Sequence, residues 1–278
     1  MISARENIKN EQIEIKLLLE AVSLKYGYDF RNYSFAHLKR RLGNRLNLSD
    51  MDNFSQMQHR LIYDDSFFNL LLLDLSINVT EMFRDPWVYK KIRGTVIPVL
   101  KTYPYIKVWH AGCSTGQEVY SMAILLEEEG MKKRAQVYAT DFNEFILSKA
   151  KDGIYPMDVM REYINNYQKS GGKKDFSDYY AADYSHAVIK CGLRDKILFS
   201  SHNLVTDGVF GEMNLIFCRN VFIYFNKGLQ DRVLKLFYDS LCPGGFLCLG
   251  TKESIKFCEL SDAFEVVCDQ EKIYRKRR

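Results

Sequence analysis

Polar residues able to hold a ligand stand directly after four short apolar runs of this sequence. After residues 106–109 comes Ala111-Gly112-Cys113-Ser114-Thr115-Gly116-Gln117-Glu118, and a helical run follows. Its glycines permit a tight turn and a close backbone approach to a ligand. The spacing matches neither the GxGxxG of dinucleotide enzymes nor the GxxxxGK[ST] of phosphate loops. A pyrophosphate would be repelled by Glu118 at the helix start, so a cationic or neutral ligand is predicted. S-adenosylmethionine carries a sulfonium, an ammonium and no phosphate, and an acidic surrounding suits it. Glu118 has a second reading, as a first-turn acid that complements the helix dipole.

Asp141 ends the run 136–140, where a carboxylate can accept hydrogen bonds from both ribose hydroxyls. It can equally cap the helix expected over 143–149. His202-Asn203-Leu204 follows 197–199, and Arg219-Asn220 follows 215–218. An asparagine offers a donor and an acceptor for an adenine edge or a ribose, although a single one at a strand end is also a common turn former. These two ends are expected on neighbouring strands of one topological switch point.

The elements that must position these groups follow from periodicity. Up to about residue 85 the pattern is helical, with Ile13, Leu17, Leu18 and Val22 on one face and Leu38, Leu42 and Leu46 on another. Asp52 or Asn53, and Asp64 or Asp65, are candidate caps for two further helices. Asp85-Pro86 disfavours helix before the proline, and beyond it short β-rich runs alternate with helical stretches: 106–109, 136–140, 196–200, 215–218, 246–249, 265–268 and 273–275. This alternation predicts an α/β, Rossmann-like sheet with helices on both faces and ligands at the carboxyl ends of its strands. The boundaries expected are a helical domain over 1–85 and a ligand-binding domain over 86–278. Residues 155–194 break the rhythm, are rich in Tyr and contain Ser170-Gly171-Gly172, and they read as a small, partly β insertion.

Composition excludes several classes. The 278 residues are 47% hydrophobic and 27% charged with only 5 Pro, as in ordinary globular proteins. The richest apolar run, 67–75, is too short and too interrupted to span a membrane, and the start does not read as a signal peptide, because Arg5, Glu6, Lys9, Glu11 and Glu14 interrupt where an apolar core is expected. A cytoplasmic protein is predicted. The 7 Cys form no CxxC pair and have no nearby His in ligand spacing, so reduced thiols in apolar positions are expected, with no metal site. A net charge of +4 does not by itself argue for nucleic acid.

In this order along the chain, Asn78-Val79-Thr80-Glu81-Met82-Phe83-Arg84-Asp85-Pro86, the glycine turn to Glu118, Ala139-Thr140-Asp141, His202-Asn203-Leu204 and the run from Phe217 to Phe225 through Arg219-Asn220 and Tyr224 resemble the chemotaxis receptor methyltransferases called CheR. The resemblance covers the chain from about residue 10 onward and implies a class I S-adenosylmethionine-dependent methyltransferase sheet, a small all-helical N-terminal domain and a small antiparallel β insertion. It implies that Asn78, Thr80, Arg84, Gly112, Glu118, Asp141, Asn203, Leu204, Arg219 and Asn220 line the S-adenosylmethionine site, and that 78–84 is a hinge closing over it. Arg84 would hold a carboxylate, that of the methionine part or that of an incoming glutamate. Met82, Gln117 and Val119 depart from the usual family residues, and none is a ligand by this carry-over.

A glutamate acceptor implied by this family is already ionised at neutral pH, with a reference pKa near 4.3, and needs no general base. The site has then to position and desolvate it. Arg84 and Tyr224 are the residues expected to orient that carboxylate, and S-adenosylhomocysteine would be the other product. The segment 37–46 sets Lys39, Arg40, Arg41 and Arg45 opposite its leucines. This basic face reads as a dock for the cytoplasmic coiled coil of a receptor, or as an ordinary solvated face; no nucleic-acid module accompanies it. In the family, an insertion such as 155–194 can add a receptor's C-terminal tether peptide as an extra strand, which this sequence leaves open. The alternatives are a non-catalytic module binding S-adenosylmethionine, its demethylated product or a receptor, and a methyltransferase acting on another protein carboxylate.

Overall fold

Side-chain caps fix where two of the four amino-terminal helices begin. In the computed structural model, which describes residues 4–76 and 80–277, these are α1 (Ala4–Tyr26), α2 (Phe35–Leu48), α3 (Phe54–Tyr63) and α4 (Asp65–Leu75). Asn53 caps α3 by accepting from the Gln56 N–H, and Asp64 caps α4 by accepting from Ser66 and Phe67. α1 does not bury the expected face. Ile15, Leu18, Leu19 and Val22 are buried, whereas Ile13 and Leu17 are more than half exposed. The buried four keep the i, i+3, i+4, i+7 spacing of one helix stripe, and α1 packs on α3. These helices belong to a compact unit of Met1–Ile77 with Tyr224–Gln230; a second unit comprises Asn78–Ile223 with Asp231–Arg278.

The second unit opens with α5 (Pro86–Lys91), a π-helical turn and α6 (Ile97–Leu100), and continues through β1 (Ile106–Ala111), α7 (Gln117–Glu128), β2 (Ala135–Asp141) and α8 (Glu144–Asp152). An insertion then carries β3 (Ile154–Pro156), α9 (Met160–Lys169), β4 (Tyr180–Ala182), β5 (His186–Ile189) and α10 (Cys191–Arg194). β6 (Ile197–Ser201), β7 (Met213–Cys218), α11 (Lys227–Ser240), β8 (Leu241–Leu249), β9 (Phe264–Cys268) and β10 (Ile273–Lys276) complete the order.

Seven strands form one sheet in the order β6-β2-β1-β7-β8-β10-β9. The first five are parallel and β10 runs against both its neighbours. β1 and β7 are buried along nearly their whole length, as strands covered on both faces must be. All seven expected runs are strands, and they form the expected α/β sheet. β8 starts five residues before the expected 246, because Pro243-Gly244-Gly245 is absorbed by a register shift against β7. Connectivity reverses at β1, so the switch point lies between β1 and β7.

The insertion contains a separate antiparallel sheet in the order β3-β5-β4. Its tyrosines are anchors: Tyr155, Tyr163, Tyr167 and Tyr179 are buried. The Tyr167 and Tyr179 hydroxyls and the Lys173 N–H all donate to one oxygen of Glu128, at the end of α7. Arg93 closes this knot from the π-helical turn by pairing with both Glu128 and Glu129. All seven thiols are free as expected; five are buried, Cys268 is half-buried, and Cys191, which starts α10, is exposed.

Candidate functional site

β1 ends in the glycine turn, and three residues there adopt left-handed backbone: Gly112, Ser114 and Gly116, with φ of 76°, 51° and 89°. The Gly112 and Cys113 N–H groups both donate to the Thr140 carbonyl at 2.9 Å, binding the turn to the end of β2. A Cβ at Gly112 would lie 2.8 Å from a methyl of Val221, so only glycine lets the turn sit this close to the segment after β7.

Asp141 is not the cap of α8. That role falls to Asn143, whose side chain accepts from the Phe145 and Ile146 N–H groups. Asp141 instead accepts from Ser114 N at 3.0 Å and Asn143 N at 3.1 Å. The carboxylate thus ties β2 to the glycine turn while keeping unused lone pairs. Burial pushes its pKa up, and the N–H groups of Asn143 and Ser114 offset part of that effect.

At the switch point a row of charges is built from three elements. Arg219, directly after β7, has a fully buried side chain and donates to Glu118 Oε2 at 3.1 Å, to Asp85 Oδ2 at 2.5 Å and to the Arg84 carbonyl at 3.1 Å. The other oxygen of Glu118 lies 3.2 Å from Nδ1 of His110, on β1. Burial disfavours the ionised Glu118, yet the His110 hydrogen bond and the Arg219 charge outweigh it and hold the carboxyl below its ordinary range. Glu118 therefore does more than complement the dipole of α7.

The segment 80–85 is clamped to the same place. Phe83 and Asp85 have φ of 52° and 53°, a costly conformation for non-glycine residues. Ser121 Oγ accepts from Phe83 N at 2.8 Å, and Asn166 donates to the Met82 carbonyl at 3.3 Å. Thr80 and Arg84 are half-buried on this segment. Asn78, expected beside them, lies outside the described residues.

The other expected residues divide. Arg219 and Asn220 follow β7, and Asn220 has φ of 61°. Asn203 uses its side-chain oxygen in a local turn to Val205 N at 3.0 Å, and Leu204 is buried. The strand ends bearing Asn203 and Asn220 are not neighbours, contrary to expectation: β2 and β1 lie between β6 and β7. Tyr224 belongs to the helical unit, where its carbonyl accepts from Ser34 N at 2.7 Å and its ring stands edge-on to His37, centroids 5.2 Å apart. The expected basic face of α2 is largely engaged inside that unit. Lys39 pairs with Glu11, Arg41 donates to the Asp74 carbonyl, Arg45 pairs with Asp74, and Arg40 is exposed.

Two buried groups escaped the sequence reading. Glu253 is 4% exposed and accepts from Gly250 N at 2.6 Å, Asn220 N at 2.9 Å and Ile223 N at 3.1 Å. It holds the segment after β7 in place. The signal was present, since Glu253 follows the run 246–249 as Arg219 follows 215–218. His110, which falls between the expected run 106–109 and the glycine turn, was passed over, and the structure places it inside β1.

Residues 78–273 match the family model described as CheR methyltransferase, SAM binding domain, and residues 13–76 match the one described as CheR methyltransferase, all-alpha domain. The chain is 53% identical over 268 residues to a putative methyltransferase, Cher3, of Pseudomonas putida, covering 96% of this chain and 98% of that one. It is 32% identical over 209 residues to a chemotaxis protein methyltransferase of Vibrio anguillarum, covering 72% of this chain and 73% of the relative. A chemotaxis protein methyltransferase of Listeria innocua is 30% identical over 231 residues, covering 82% and 85% respectively.

S-adenosylmethionine is the cofactor, and the residues present fit it. A glycine cradle that a Cβ would fill, a buried Ser114 hydroxyl with no hydrogen-bond partner among the described residues, and two carboxylates with lone pairs to spare are what a ribose and an ammonium require.

Proposed function

Because the chain belongs to the CheR methyltransferase family and so transfers methyl groups from S-adenosylmethionine, we propose that its acceptor is a glutamate side chain of a chemotaxis receptor, converted to a methyl ester. The relatives named as chemotaxis protein methyltransferases support this receptor class. The observation that carries the reading is the state of Glu118. Taken up by His110 and Arg219 and held below the usual carboxylate range, it is a poor general base. A glutamate carboxylate arrives ionised and asks for no such base, so this state of Glu118 suits it.

The cofactor supplies an electrophilic methyl group on a sulfonium. The chain's residues bind, orient and exclude water. Glu118 and Asp141 take the ammonium and ribose groups, with Gly112, Asn203, Leu204 and Asn220 around them, and Asn78 and Thr80 join from the segment that leads into α5. Arg219 fixes Glu118 and the 80–85 segment. Arg84 captures a carboxylate and Tyr224 orients the acceptor through its hydroxyl, a neutral donor that leaves the nucleophile undulled.

Residues 1–85 serve as the receptor-docking part and hinge, and 86–278 as the methyl-transfer part. The partner is the cytoplasmic coiled coil of the receptor, which places the reaction in the cytoplasm; no described helix is long and apolar enough to cross a membrane. With Lys39, Arg41 and Arg45 engaged, Arg40 is the first of the four α2 cations expected to matter for docking.

The test is incubation with methyl-labelled S-adenosylmethionine and receptor cytoplasmic fragments, followed by mild alkali. Esters release their label and N-methyl groups do not. Label that resists alkali points to another acceptor. Binding of S-adenosylhomocysteine without any transfer points to a non-catalytic module.

A further inference from the structure

His110 occupies the penultimate position of β1, and no solvent reaches it. Its Nε2 is buried and has no hydrogen-bond partner among the described residues. Its ring lies 5.1 Å from that of Phe217, a contact an apolar side chain would make equally well. Leaving a buried ring nitrogen unpartnered costs stability that an aliphatic residue would not lose. The polar contact its ring makes among the described residues is Nδ1 to Glu118 Oε1 at 3.2 Å. Two bare acceptors would repel at that distance, so Nδ1 carries the proton and donates it.

We propose that His110 is a positioning residue for the cofactor site. It holds one oxygen of Glu118 while Arg219 holds the other, and so keeps the carboxylate's remaining lone pairs turned to the cationic amino group of S-adenosylmethionine. The inference rests on the reading of Glu118 as a cofactor ligand. The burial pattern agrees with it: the side chains of His110 and Arg219 are fully buried, while that of Glu118 remains 15% exposed. A carboxylate gripped at both oxygens loses little rotamer freedom when the ligand arrives, which is where preorganisation gains affinity.

The test is calorimetric titration of the full chain with S-adenosylhomocysteine, which retains the ammonium, with a thermal melt of every variant. His110→Asn keeps an N–H donor at the position of Nδ1 but leaves a larger void. His110→Leu fills the space and has no donor. We expect His110→Leu to weaken binding about tenfold or more, the size of a charge-assisted hydrogen bond, and His110→Asn to stay within about threefold of the parent despite the lower Tm. Affinity and stability then rank the two variants in opposite orders. Affinity that simply follows Tm overturns the inference, and so does unaltered binding in His110→Leu; His110→Met takes its place if the leucine variant does not fold. Glu118→Gln separates the two layers. Unchanged binding there sinks the assignment of Glu118 itself, whereas weakened binding there beside an indifferent His110→Leu sinks only the role of His110.

Discussion

Glu129→Gln isolates the electrostatic part of the knot that anchors the insertion. The Glu129 carboxylate is 7% exposed and receives Arg93 at 3.0 Å, Lys101 at 2.9 Å and Lys173 at 2.7 Å. Burial opposes its ionisation, but the hydrogen bonds from Lys173, Lys101 and Arg93 outweigh burial and bring its pKa down to about 2. A tenfold change in proton affinity is worth about 1.4 kcal/mol, so a fall from the ordinary 4.5 to about 2 amounts to about 3 kcal/mol. Both lysines are about half exposed and solvent screens their share, which leaves about 2 kcal/mol. The folded chain favours the ionised form. This stabilisation is therefore complete above pH 4.5 and is lost as pH falls through the window down to about 2. In urea unfolding followed by the fluorescence of buried Trp109, Glu129→Gln should lie about 2 kcal/mol below the parent at pH 7, with the two curves converging as the pH drops through that window. Equal stabilities at pH 7, or a gap that persists undiminished at low pH, would refute the reasoning.

Glu253→Gln leaves one of three buried N–H groups facing an amide NH2 and should cost about 2 kcal/mol of stability, measured by denaturant unfolding; a variant as stable as the parent would mean that the carboxylate does not hold this segment. Tyr224→Phe should lower kcat about tenfold with the Kd for S-adenosylhomocysteine nearly unchanged, and a large loss of binding instead would place Tyr224 at the cofactor. Asp141→Asn, which removes the charge while keeping one acceptor oxygen, should raise that Kd by about tenfold to a hundredfold in calorimetry; retention of parental affinity would return Asp141 to a purely structural role.

The sheet was legible because its strands are buried on both faces: continuous apolar runs such as 215–218 admit few other readings, and polar residues at their ends mark the binding edge. Strand order was not legible, since nothing local in His202-Asn203 states that β2 and β1 will stand between it and Arg219-Asn220. Periodicity also left α1 ambiguous, because Ile13 and Leu17 satisfy helical spacing as well as Ile15 and Leu19 do, and only packing on α3 selects the buried stripe. At the site, residue type was a better guide than partner. Glu118 and Arg219 were both read as cofactor-facing, but their mutual ion pair joins residues 101 positions apart, a pairing that spacing cannot reveal. The partners of the charge run on α2 were hidden for the same reason, as Asp74 and Glu11, which engage three of its four cations, lie far away in sequence.

The placement of the thiols has a practical consequence. Electrophilic dyes react with accessible thiolates and leave buried ones alone, and Cys191 is the one exposed thiol of the seven. A brief maleimide treatment of the native chain should therefore tag one end of the β insertion without any engineered cysteine. The parent protein thus carries a built-in spectroscopic handle for watching whether a receptor-derived peptide ever settles on that element.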